Sequence, residues 1–246
     1  MRSTSAEPAV RTRRRLIAAS LVSSFGDGIY VPLTMLFIHS LTSLSLTSIG
    51  AGLTVAGLCG LAFMPVTGVL IDRFGGRQVL IAALVLRAAG FAAYPFADSY
   101  PAFLTTALVV AVGMWASSPS QQALIGEIAE GTERDRLLAW DRSLRNAGMG
   151  GGSLAAAGML ALNGNAGFIG AAVVLATVFA IAAVLVARIS AVHGGDRRPE
   201  GTRGGYRQVL ADQPYLLITA ANFLIERELP AHVVRTRETT TAAQRP

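Results

Sequence analysis

Gly68-Val69-Leu70-Ile71-Asp72-Arg73-Phe74-Gly75-Gly76-Arg77 closes one long apolar run and opens the next, with three charges crowded between them. Each run is long enough to cross a bilayer, so the charges describe a very short turn on a membrane surface. A helical hairpin through a membrane is the local fold. The rest of the chain reads outward from it.

Of the 246 residues, 52% are hydrophobic and 15% are charged, where a soluble domain carries about 25% charged residues. Buried helices of soluble proteins rarely stay so apolar over such lengths. The fold class is therefore an all-α membrane protein, a bundle of six transmembrane helices. The expected spans cover 16–38, 48–71, 78–97, 101–125, 138–162 and 167–187. At about 1.5 Å per residue each crosses a hydrocarbon core of about 30 Å. The run after Arg15 is too long for the core of a secretion signal and reads as an uncleaved first span.

All basic residues are arginine, and the net charge is +6. They fall between spans instead of along one soluble face, so no nucleic-acid partner is expected. Arginines occupy the N-terminal tail, the second and fourth connections and the segment after the sixth span. The segments 39–47, 98–100 and 163–166 have none. This alternation predicts a multi-pass protein of the cell membrane with its N-terminus in the cytoplasm. The expected organisation is a cytoplasmic tail over 1–15, the six-helix bundle over 16–188 and a cytoplasmic linker over 189–213. An incomplete seventh helix over 214–225 and a polar, disordered tail over 226–246 follow.

Chemistry-bearing patterns are scarce. Cys59 is the single cysteine and sits in an apolar run, where a thiol is a small packing group. His39, His193 and His232 are scattered in or beside polar segments. No nucleophile and base, carboxylate pair, metal-ligand spacing or nucleotide loop appears. Neither an enzyme nor a bound cofactor or metal is expected.

The turn at Gly68–Arg77 resembles the signature loop between the second and third helices of major facilitator superfamily transporters, approximately Gly-x-x-x-Asp-Arg-x-Gly-Arg-Arg. Gly68, Asp72, Arg73, Gly75 and Arg77 match, and Gly76 stands where an arginine is usual. Arg145, Asn146 and Gly148 are similar to the family's start of the fifth helix. Gly150, Gly151 and Gly152 follow without the proline of efflux members, and 102–125 lacks the family's fourth-helix arginine. The resemblance implies the N-terminal six-helix half of the fold and secondary transport of a small solute by alternating access, efflux included. It also implies coupling to protons or a solute gradient, and a signature loop that braces this half against the other. By its own chemistry Asp72, at a helix C-terminus, is disfavoured by the helix dipole and needs Arg73, Arg77 or a helix N-terminus as partner.

Two ionisable residues are expected deep in the spans, Asp27 and Arg87. Asp27 is about 18 Å along its helix from Arg15, and Arg87 about 15 Å from Arg77, so both reach a similar depth. A charge there costs about 2.5–3.5 kcal/mol on insertion scales, so it has a partner or a task. Two readings stand: a buried pair tying the first helix to the third, or an Asp27 that lines a cavity and binds protons or a cationic substrate. Tyr30, Thr34, Ser117, Ser118, Ser120, Gln121 and Gln122 are candidate cavity residues. Pro32 and Pro119 open two three-helix units in corresponding spans, as in inverted repeats.

The apolar run at 214–225 is 12 residues long, where a crossing needs about 20. A truncated or frameshifted transporter half is the expectation, working beside a complementary C-terminal half or a second copy. The alternative is a non-transporting membrane protein: an inactive half, a scaffold or a partner subunit.

Overall fold

The computed structural model describes residues 6–41, 45–161 and 165–189. The linker beyond residue 189, the incomplete seventh helix over 214–225 and the tail over 226–246 lie outside the described residues. Seven α-helices follow in order among the described residues. They are α1 (Ala6–Leu41), α2 (Leu46–Ala62), α3 (Met64–Phe74), α4 (Gly76–Ala93), α5 (Tyr100–Ile128), α6 (Gly131–Ala161) and α7 (Asn165–Ala187). Among the described residues three helical stretches are long and apolar enough to cross a bilayer, Gly76–Phe96, Tyr100–Ile128 and Ile169–Ala187, and the bent pair α2–α3 makes a fourth when taken as one span. α1 and α6, of 36 and 31 residues, complete the bundle with more polar sequences.

Two helix boundaries differ from the expected spans for identifiable reasons. The span drawn over 48–71 is not continuous, because Pro65 offers no N–H to the turn before it. The chain ends α2, caps it at Phe63 and restarts as α3 with proline in the first turn, at a bend of 43°. α1 begins at Ala6, so the described part of the expected N-terminal tail is helical and continuous with the first span. Pro119, in contrast, sits inside α5 without ending it.

The exterior is apolar and the interior partly polar, the inverse of a soluble bundle. Leu58, Val69, Val173 and Val184 are exposed, while Arg87, Ser20, Ser120, Gln121 and Asp141 are buried. This suits a lipid surround, in which burial of polar groups against one another replaces their contact with water.

α1 packs most extensively on α6, α4 on α5 and α7, and α2 on α5. The α1–α6 seam is closed by glycine. A Cβ on Gly28 would lie 2.2 Å from the Met149 carbonyl oxygen, and one on Gly152 2.1 Å from that of Phe25. Between membrane helices such backbone approach supplies the dispersion attraction that holds them together. Gly150, two residues from Gly152, meets nothing within 4 Å. We expect Gly152→Ala to force the helices apart at a cost of about 1–3 kcal/mol, whereas Gly150→Ala leaves the melting temperature in detergent unchanged. Equal melting of the two variants would refute backbone contact at the seam.

Candidate functional site

Arg87, on α4, is 2% exposed, and its guanidinium forms an ion pair with Asp27 of α1. The same group lies 3.8 Å over the ring of Phe179 on α7. Its aliphatic stem rests on Gly113 of α5, where a Cβ would come within 2.7 Å of Arg87 Cγ. Four helices therefore enclose one cation. A desolvated cation over an aromatic face gains about 2 kcal/mol, and the carboxylate supplies the compensating charge. Phe179 stacks on Phe91 at 5.5 Å, and Tyr30 meets Phe91 edge-on at 5.0 Å. Tyr30 is thus part of the aromatic packing beside the pair. Asp27 differs from its partner in being 30% exposed.

A second buried polar cluster ties α1, α5 and α6. Ser20 donates its hydroxyl to Asp141 Oδ1 at 2.5 Å, and Gln121 Nε2 donates to Ser20 Oγ at 3.0 Å and to Asp141 Oδ1. Arg145 approaches Asp141 Oδ2 at 3.6 Å from a half-exposed position one turn on. Asp141, which was not among the candidate residues, is 7% exposed. Its neighbours Arg142 and Arg145 give it the look of a surface segment. The signal that finds it is the four-residue spacing to Arg145, which places both on one helix face. Gln121 is buried in this network, Asn146 is exposed, and Gly148 packs against Ser24 of α1.

The signature loop lies at the end of the bundle that carries Arg15 and Arg188. Gly75 has φ 84°, which glycine adopts without strain, and its N–H closes the α3 terminus on the Ile71 carbonyl. Gly76 begins α4 at once, and its N–H donates to Glu127 Oε1 at 2.6 Å. A carboxylate at a helix N-terminus is favourably placed in the dipole field. A Cβ on Gly76 would lie 2.6 Å from Leu124 N, so a side chain here would push α5 away. That contact accounts for glycine where the similar pattern has arginine. Arg77 turns to α7 and donates to the carbonyls of Val186 and Ala187. Arg15 of α1 donates to that of Arg188. Two cations thus occupy the negative end of α7. Asp72 and Arg73 remain exposed, with Arg73 over the Phe74 ring, and Asp72 makes no ion pair among the described residues. Gly68 is half-buried in α3.

Removing one partner of a buried pair leaves the other charge uncompensated, which costs about 3–5 kcal/mol. Asp27→Asn should destabilise the bundle by about 3 kcal/mol, and adding Arg87→Met should recover most of that loss in a denaturation cycle. Additive losses would show that the two residues are uncoupled. Arg77→Gln is expected to speed amide exchange in the last turn of α7 and leave α2 unaffected; unchanged exchange would mean that the arginine does not hold that helix end.

A profile of the Major Facilitator Superfamily matches residues 16–226. A multidrug resistance protein, MdtH, of Aeromonas salmonicida is 29% identical over 148 residues, which are 60% of this chain and 36% of that protein. MdtH of Aeromonas hydrophila aligns over the same shares at 29% identity. An uncharacterized MFS-type transporter of Escherichia coli, YdeE, is 31% identical over 83 residues, 34% of this chain and 21% of that one. The alignments to these relatives thus span about a third of their length or less. With the family profile running from the first span to beyond the sixth, the six-helix bundle and its signature loop place this chain in the Major Facilitator Superfamily.

Proposed function

We propose that the chain is the N-terminal six-helix half of a secondary transporter that exports small organic solutes by alternating access. The observation that carries this reading is the asymmetry of the central pair. A carboxylate needed only to neutralise Arg87 would be buried with it, yet Asp27 keeps an open side while Arg87 has none. That open side is where a proton or solute engages the bundle at mid-span, and Asp27 is the coupling residue.

The names of the Aeromonas relatives support small organic solutes and an outward direction. The arginines at one end of the bundle support a cell-membrane protein with a cytoplasmic N-terminus. Six helices present one wall of a path; a complementary half or a second copy supplies the other. The exposed Asp72 and Arg73 of the signature loop brace that partner, since Arg77 and the Gly76 N–H are engaged within this half.

The test is uptake of ethidium into inverted membrane vesicles energised with a proton gradient. The chain is expressed alone and with the C-terminal half of the Aeromonas salmonicida relative. Uncoupler-sensitive uptake should appear with the complementary half and be lost with Asp27→Asn. A folded chain that carries no flux in either setting is a non-transporting membrane subunit, and the proposal fails.

A further inference from the structure

Opposite the α2–α3 bend, the surface holds a groove of about 490 Å³ lined by Met64, Met114, Trp115, Ser118, Pro119 and Gln122. Five of these lie on one face of α5, and Met64 opens α3 just past the bend. The groove lies between two proline-bearing helices, the start of α3 and the middle of α5. Pro65 directs α3 away from the α2 axis by 43°, and Pro119 interrupts the bonding of α5. The groove is open along one side, with room for a small molecule.

The lining holds unfilled hydrogen-bonding capacity and no charge. Trp115 Nε1 is buried against Gly60 of α2 without an acceptor, so its N–H is not offered to the groove. The Trp115 carbonyl lacks the N–H that any residue but proline would donate from position 119. The neighbouring hydroxyls do not replace it, because Ser117 donates to the Gly113 carbonyl and Ser120 to that of Ala116. Ser118 and Gln122 share only a 3.5 Å contact, which leaves an amide and a hydroxyl available at the mouth. Met64 and Met114 add flexible thioethers, which adapt to aromatic faces.

We propose that this groove binds one uncharged, planar aromatic molecule carrying both a hydrogen-bond donor and an acceptor. The donor meets the Trp115 carbonyl, the acceptor meets the Gln122 amide or Ser118 hydroxyl, and the ring lies between the methionines. With no charged side chain in the lining, an organic cation gains nothing there that Asp27 does not offer better. The groove is a subsite of the solute path proposed above and rests on that reading for its role. Binding is measured without flux, so failure of the groove leaves the transport reading standing, and loss of transport leaves the groove standing.

The chain has two tryptophans, so Trp140→Phe makes Trp115 the sole emitter. The probe is 7-amino-4-methylcoumarin, which is neutral, bears an amine and a lactone carbonyl, and accepts tryptophan emission. In nanodiscs the Trp140→Phe protein should give saturable sensitised coumarin emission at one probe per chain. Gln122→Leu, at an exposed position, should weaken binding about tenfold, the loss of about one hydrogen bond. Ser118→Leu should block the groove. Tetraphenylphosphonium should not displace the probe. Three outcomes overturn the proposal: energy transfer that never saturates and is equal in the leucine variants; displacement by the phosphonium cation; or full quenching of Trp115 by bromine-labelled lipid chains that the coumarin does not relieve, which makes the groove a lipid seat.

Discussion

A guanidinium inside a bilayer has to find its counter-charge within the protein, and the interior of this bundle is arranged around that need. Arg87 is met by Asp27 from α1, the Phe179 ring from α7 and the space left by Gly113 on α5. Each partner comes from a different helix, so the position of one charge fixes the mutual placement of four. The aromatic stack through Phe91 and the glycine seam between α1 and α6 then complete the packing around it.

A separate set of contacts closes the end of the bundle where the arginines collect. Arg15 and Arg77 take the last carbonyls of α7, Glu127 takes the first N–H of α4, and Asp141 gathers Ser20 and Gln121. These are helix-end and buried-polar bonds within the bundle, and they tie its helices together at that end. The groups left outward in the signature loop, Asp72 and Arg73, are those not used in these bonds.

How much of this was readable from the chain follows from the range of each interaction. The loop at Gly68–Arg77 and the apolar runs are local patterns, and they led directly to a six-helix membrane bundle of the right family. The depth estimate for Asp27 and Arg87 needed only helical rise, and the two do meet. Which carbonyls Arg77 would take was not legible, because its partners are more than a hundred residues away and backbone atoms carry no sequence signature. Phe179 lies in the apolar run over 167–187, where nothing local distinguishes it from its neighbours. Asp141 was hidden by its arginine neighbours, although its spacing to Arg145 was there to be used. The break at Phe63 was signalled by Pro65, but proline inside a membrane helix does not always break it, as Pro119 shows.

The separation of these partners along the chain also sets the order in which the molecule can be assembled. Asp27 has no counter-charge until Arg87 emerges 60 residues later, and Ser20 waits 121 residues for Asp141. Arg15 must wait 173 residues for the end of α7. During synthesis the first helix is thus the least satisfied segment, held at the insertion machinery or in the bilayer with an uncompensated carboxylate. Its last contacts form only when the sixth span is in place, so the helix made first is among the last to be locked.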